Sequence, residues 1–397
     1  MPAKTNYFGA DESIFAEKSL LRVSHLPNED RIIGRDDELH EIGNCMQDGL
    51  QGEAPTHAMI YGKTGTGKSL CSKFICEDLV DRAESNNVNA GYVYIDCTQQ
   101  STETKVCREM AHTLNDEETT DISVPYSGIS TADYYRRLWD ILDQLYNIVV
   151  VILDEIDRLD GDDILYQLSR ARESGKMNDA HIGIIGISNK MRYEEKLNQR
   201  VKSSFSKRDI VFSPYDADQI REILENRSDA FYDDVLNEGV IPKVAAISAQ
   251  EHGDARKAID ILRYAGEVVD NSDGETVTEE HVDMAQEREQ EGRIRELIES
   301  SPNHSKFALH SIARLSLRSE KKRPEVEGSD VYEMYESICE ERGSDPLTQR
   351  RLRDILDEMK FLGIINRERK SKGREGAYTT NRLLEDPEMV LRACSEM

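Results

Sequence analysis

Paired cysteines are what this sequence lacks first. Its seven cysteines stand at 45, 71, 76, 97, 107, 339 and 394, an odd number with no C-x-x-C spacing. Neither a disulfide framework nor a zinc site is expected, and the thiols should be reduced and mostly buried. Long apolar runs are absent too: none approaches roughly 18 residues, so no transmembrane helix and no membrane partner are predicted. The start carries Asp11, Glu12 and Glu17 instead of a basic-then-apolar leader, which points to a cytoplasmic protein. Positive charge is in short supply, with 51 Lys and Arg against 77 Asp and Glu, for a net charge of −26. Taken whole, that deficit argues against a nucleic-acid partner. Its distribution argues the reverse. Residues 301–397 hold 18 basic and 18 acidic residues, so they are neutral and all 26 excess negatives lie in residues 1–300. At 397 residues the chain is too long for one compact core, and two or three domains are expected.

What is present is organised around Gly62-Lys63-Thr64-Gly65-Thr66-Gly67-Lys68-Ser69. The apolar run His57-Ala58-Met59-Ile60-Tyr61 precedes it and a helical pattern, Leu70 to Asp81, follows. Strand, glycine-rich turn and helix are the context that makes G-x-x-x-x-G-K-S a phosphate cradle. Backbone N–H groups close on phosphate oxygens where a Cβ would collide, and the helix N-terminus adds its positive end. Residues 62–69 with Leu70 are thus the candidate ATP/ADP-binding set. Lys68 supplies a charge for the β- and γ-phosphates, and Ser69 a hydroxyl for Mg²⁺.

Four more strands are predicted. Gly91 to Cys97 is rich in β-branched and aromatic residues. Ile148-Val149-Val150-Val151-Ile152-Leu153 has no polar face, as a strand buried between helix layers should read. It ends in Asp154-Glu155, a pair that reads as a metal-holding Asp154 and a water-polarising Glu155, or alternatively as a helix N-cap with Asp157 nearby. His181 to Ser188 ends at Asn189, which either orients the attacking water or serves as a turn residue. Arg208 to Phe212 closes the layer. Strands alternating with helices mean a parallel α/β sheet. The 50 residues from 98 to 147 exceed a plain crossover, leaving room for an extra helical piece between the helical patterns Thr102–Leu114 and Thr131–Leu145. The first 20 residues read as a mobile tail. Arg31-Ile32-Ile33-Gly34-Arg35 then leads into a helix from Asp36 to Leu50, and this lead-in reads equally as a segment beside the base or as plain surface.

Residues 214–292 read as helices only. One of them opens at Gly253-Asp254-Ala255-Arg256, with Arg256 off the apolar stripe and free to reach a phosphate. From Ile294 onward helical stretches recur (Ile294–Glu299, Ser305–Leu317, Gly328–Arg342, Pro346–Phe361), followed by a hairpin from Gly363 to Lys370 and Ala377 to Leu383. Helices followed by a basic hairpin describe a winged helix. On the helix from Pro346, Leu352, Ile355, Leu356 and Met359 share one face. Arg350 and Arg353 project from the other, either into a DNA groove or into pairs with Asp354 and Asp357. The hairpin adds Arg367, Arg369, Lys370, Lys372 and Arg374.

With these motifs in hand, the chain resembles the archaeal origin-recognition and helicase-loading initiators, relatives of the eukaryotic origin-recognition and cell-division-control ATPases. The likeness runs from about Ile14 to the end. It is carried by the Tyr61–Ser69 stretch, Ile152-Leu153-Asp154-Glu155-Ile156-Asp157, Ile185-Gly186-Ile187-Ser188-Asn189, Arg200-Val201-Lys202-Ser203-Ser204-Phe205 and Gly253 to Asp260. The resemblance implies an AAA+ P-loop domain with a five-stranded parallel sheet (21–213), an all-α lid (214–292) and a C-terminal winged-helix domain (293–397). It implies Glu155, Asn189, Arg200 and Arg256 as catalytic residues. Asn189 and Arg256 would be the two sensors and Arg200 an arginine finger acting in trans, with Lys202 and Arg208 as neighbouring candidates. The insertion after Cys97 would touch DNA, and Arg136 and Arg137 suit that contact better than the acidic run Asp116-Glu117-Glu118. Double-stranded origin DNA, the replicative helicase and self-association on DNA are the implied partners. The acid excess resembles that of proteins from salt-loving archaea, where it serves solubility. The reading is an ATP-switched, nucleoid-associated replication initiator with slow hydrolysis. Its rivals are a winged-helix transcription regulator holding a fixed nucleotide and a ring-forming remodelling ATPase, the latter disfavoured by the winged helix.

Overall fold

In a computed structural model, residues 13–22, 31–251, 253–272, 274–319, 324–371 and 377–395 are described. Five parallel strands, β1 (His57–Gly62), β2 (Ala90–Asp96), β3 (Ile148–Asp154), β4 (His181–Ser188) and β5 (Lys207–Phe212), form one sheet in the order β2-β3-β4-β1-β5. Every residue of β3 is buried, because helices cover both faces. The two-residue period sorts its side chains: Val149, Val151 and Leu153 join the core under the helices Glu103–Leu114 and Thr131–Leu145. Val150 and Ile152 join the opposite core, under Asp36–Met46 and Lys68–Ser85. Thr102 and Ser130 cap the two insertion helices, each accepting a backbone N–H three residues on. The extra piece between them is a single turn, Glu117–Thr120. With β1 placed between β4 and β5, the chain reverses its order beside β1, and the carboxyl ends of β1, β3 and β4 open on one crevice.

Three helices, Ala217–Glu225, Val240–Gln250 and Ala255–Asp270, follow the sheet as a lid. The lid is not helical throughout: Leu236 bridges to Val277 in parallel. The reading of residues 1–20 as a mobile tail is corrected for the described part. Ile14, Phe15, Leu20 and Leu21 are buried. The Ile14 amide donates to Asp270 Oδ1 at 2.9 Å, the Ala16 amide donates to the Ala230 carbonyl at 2.9 Å, and the Phe15 ring lies 4.9 Å from Phe231. Four apolar side chains and lid carbonyls that need donors explain the docking.

The chain divides into two compact units at Val282/Asp283. One continuous helix, Glu279–Glu299, spans that division. In the second unit the helices Asn303–Leu317, Gly328–Glu341 and Gln349–Phe361 pack on an antiparallel sheet of β6 (Val326–Glu327), β7 (Ile365–Ser371) and β8 (Ala377–Leu383), in the order β6-β8-β7. This is a winged helix. A further helix, Pro387–Ser395, buries Met389, Val390, Ala393 and Cys394 in the same core.

Candidate nucleotide site and nucleic-acid interface

The glycine-rich turn leaves β1 at Gly62 and enters its helix at Lys68. Gly65 has φ +74°, and a Cβ there would meet Asp254 Oδ1 at 1.7 Å. The lid itself, and not only a phosphate, therefore demands glycine at this position. The same lid loop donates the Ala255 amide to the Gly65 carbonyl at 3.2 Å. Lys68 Nζ donates to the carbonyls of Gly62 and Lys63 at 2.9 and 2.6 Å and to Asn189 Oδ1 at 2.9 Å. Burial depresses its ammonium to about 8, with Asp154 pulling the other way. Asn189 Nδ2 donates to Glu155 Oε1 at 2.9 Å, so one amide links the cradle lysine to the carboxylate at the end of β3.

Ser69 Oγ donates to Asp154 Oδ2 at 2.5 Å, and Tyr94 OH donates to the same oxygen at 2.8 Å. A hydroxyl and a carboxylate in contact are the donor set a magnesium ion shares with phosphate oxygens. Glu155 has φ +51°, an uncommon conformation for a side chain of this kind. It precedes the single turn Ile156–Arg158 without capping it, so the N-cap alternative does not describe its side chain. Asp157 turns away, accepting from Ser188 Oγ at 2.9 Å and pairing with Lys190 at 2.6 Å.

Two cavities meet here. The larger, about 430 Å³, is walled mainly by Ile32, Ile33, Leu70, Tyr215, Ile223 and Ile259, with Arg31, Lys73 and Arg227 at its polar edges. The smaller, about 200 Å³, is lined by Thr64 to Ser69, Tyr94, Asp96, Asp154, Glu155 and Asn189. Arg256 lines both, so the structure joins it to Lys68, Asp154, Glu155 and Asn189. An apolar chamber opening on a cationic and carboxylate-lined one fits a nucleoside triphosphate with its metal. Arg200 is not brought to this site. It is exposed, pairs with Asp163 and lies 5.0 Å over the Tyr166 ring.

Two residues, Arg35 and Tyr94, have roles here that the sequence did not assign. Arg35 is 2% exposed and donates to the Thr66 carbonyl at 3.0 Å and the Ser213 carbonyl at 2.6 Å, while stacking 3.9 Å over Tyr215. It ties the cradle to the end of β5. A lone arginine before an acidic helix start carries no motif. The same holds for Tyr94, whose strand register against β3 is not written in its own neighbourhood.

In the second unit, Arg350 and Arg353 are exposed on the helix Gln349–Phe361, opposite the buried Leu352, Leu356 and Met359. The alternative pairing with Asp354 and Asp357 does not form. Arg353 Nη2 donates to Gln349 Oε1 at 3.1 Å, and Arg350 has no ion pair among the described residues. Arg367 is the correction. It is 8% exposed and pairs with the exposed Asp357 Oδ1 at 2.5 Å, so the structure does not present it to a groove. The physical reason is the two-residue period: Arg367 shares the inner face of β7 with buried Ile365. Lys372 and Arg374 lie outside the described residues. In the insertion, Arg136 is exposed and pairs with Asp133 at 2.6 Å, and Arg137 donates to the Ser123 carbonyl.

Comparisons with known proteins agree with this architecture. Profiles described as "AAA domain", "Cdc6 AAA+ ATPase-type lid domain" and "CDC6, C terminal winged helix domain" match residues 52–188, 221–287 and 296–393. The chain is 48% identical over 384 residues to ORC1-type DNA replication protein 4 of Halobacterium salinarum, covering 96% of this chain and 93% of that one. It is 42% identical over 381 residues to ORC1-type DNA replication protein 9 of Haloarcula marismortui, covering 96% and 91%. Among solved structures, that of the Aeropyrum pernix ORC1 protein in complex with DNA superimposes with a TM-score of 0.80 at 33% identity, over 98% of both chains.

Proposed function

Because the chain belongs to the ORC1-type DNA replication proteins, AAA+ proteins with a C-terminal winged helix, we propose that it binds double-stranded origin DNA and helps recruit the replicative helicase, with ATP binding and slow hydrolysis as its switch. The three parts divide the work: residues 21–213 hold nucleotide, 214–292 respond to it and 293–397 read DNA. The observation that carries the switch is the two-part cavity, whose walls belong to both sheet and lid. Bound with magnesium, ATP would supply a γ-phosphoryl group open to attack by water. Lys68, Ser69 and the amides of the turn would bind the phosphates, and Asp154 would help hold the metal. Asn189 holds Glu155 Oε1 and Arg158 pairs loosely with Oε2 at 3.6 Å, so Oε2 would accept the proton of the attacking water once that exposed arginine swings aside. Arg256 would draw the lid toward the phosphates. Arg200, remote from its own site, would act on a neighbour's nucleotide when copies associate on DNA.

Two variants test the division of roles. Lys68→Ala should weaken nucleotide binding, whereas Glu155→Gln should retain ATP while phosphate release falls by about 100-fold or more. Bound nucleotide and released phosphate are measured on both. Turnover at the wild-type rate in Glu155→Gln would sink the assignment.

A further inference from the structure

We infer that Arg367 serves DNA reading from inside the winged helix: it is a positioning residue that clasps β7 to the helix Gln349–Phe361 and sets where Arg350 and Arg353 stand. The inference rests on reading that helix as the element that faces DNA. Three bonds carry it. Arg367 Nη1 donates to the Arg353 backbone carbonyl at 2.9 Å and to Asp357 Oδ1 at 2.5 Å. In return, Lys360 Nζ donates to the Arg367 carbonyl at 2.9 Å. The clasp is reciprocal, strand to helix and helix to strand, and one of its grips falls on the backbone of Arg353, whose side chain is exposed on the outer face. Leu352, Leu356 and Met359 hold the helix to the core, but apolar contact is non-directional and tolerates sliding and rolling. A guanidinium on a carbonyl and a carboxylate is directional.

Stability does not account for an arginine at this position. Its Nε has no partner among the described residues. Directly across the strand pair is Asn381, fully buried, with neither Oδ1 nor Nδ2 partnered. An apolar cross-strand pair would fill the same space and orphan no polar atoms. A fixed orientation of the helix is what the arginine adds.

The test uses the full chain and the duplex that the wild-type protein enriches most from a random-sequence pool. Affinities for that duplex and a scrambled one are measured over a salt series, with thermal unfolding in parallel, for Arg367→Met, Arg367→Lys, Asp357→Ala and the Arg367→Met/Asp357→Ala double variant. Arg367→Met should lower the selected-to-scrambled affinity ratio about tenfold, while the slope of log affinity against log salt stays as in wild type, because no phosphate contact is lost. Asp357 is exposed, so Asp357→Ala should fold and still lower the ratio. The double variant should fall no further than Arg367→Met. Arg367→Lys keeps the charge, but its shorter side chain cannot bring a nitrogen to the place from which Nη1 reaches both oxygens, so it should lose part of the ratio, less than Arg367→Met. A salt slope reduced by about one would mean that Arg367 meets a phosphate itself and would overturn the inference. So would an unchanged ratio in Asp357→Ala and Arg367→Lys, or a lowered melting temperature with an unchanged ratio in the folded protein. If Arg350→Ala and Arg353→Ala leave the wild-type preference intact, the reading of the helix fails first, independently of any Arg367 variant.

Discussion

Lys68 carries a proton question that nucleotide binding should answer. Burial holds its ammonium near 8, well below the ordinary 10.5, with Asp154 opposing and Arg256 adding to the depression. Phosphate beside Nζ would restore the proton. ADP binding should therefore take up protons around pH 8, and affinity should fall as pH rises above it, by at most about tenfold per pH unit. Calorimetry in two buffers of different protonation enthalpy measures the uptake, and none at alkaline pH would refute the coupling. His57 makes the opposite prediction, for stability in acid. Burial lowers it to about 4, and its Nδ1 accepts the Ile184 N–H at 3.2 Å, which suits the neutral ring. Between pH 6.5 and 4 the unfolded chain binds the proton that the native ring refuses, so stability falls as pH drops through that window, by about 3 kcal/mol at most. His57→Gln keeps an acceptor for Ile184 and should flatten this limb of the denaturation curve. An unchanged acid limb would show that His57 is not its source.

At the scale of elements, the helix Gln349–Phe361 presents Arg350 on its outer face. Arg350→Ala should relax sequence preference and cost about 1–3 kcal/mol if the side chain reads a base. Equal losses on selected and scrambled duplexes would instead assign it to phosphate. Elements were legible in the sequence wherever local signals agree. The uninterrupted apolar runs of β3 and β4 mark strands covered on both faces, and the helical patterns Thr102–Leu114 and Thr131–Leu145 fall on the helices Glu103–Leu114 and Thr131–Leu145. The cradle, Asp154, Glu155 and Asn189 were legible because each lies at or just past the end of a strand. What stayed hidden depends on distant partners. The helix Pro387–Ser395 is short and gains its order from the core it shares with Asn303–Leu317. Phe15 and Leu21 look like any tail residues until the lid is there to bury them. Arg35 acts through two backbone carbonyls far along the chain, which no spacing announces. Arg367 was legible after all: its place two residues after Ile365 puts it on the inner face, a signal that its charge obscured.

For the whole molecule, charge separates folding from DNA binding. The 26 excess negatives of residues 1–300 repel one another unless screened, so the melting temperature should rise as salt is raised toward the molar range. A melting temperature indifferent to salt would remove self-repulsion from the account. DNA binding usually weakens as salt rises. If DNA is bound in that salt, the neutral stretch 301–397 must rely on base contacts, DNA shape and packing, and the specific affinity should change little over the range where the protein is folded; a steep fall would contradict this. The claim that joins both units is that nucleotide controls the marking of replication origins. Genome-wide crosslinking of the protein to DNA in growing cells, for wild type and Lys68→Ala, tests it most directly. One dominant wild-type peak at a start of replication, weakened in the variant, is the expected result. Many comparable peaks at promoters, none at a replication start and all indifferent to Lys68, would contradict it and make the protein a transcription regulator on the same scaffold.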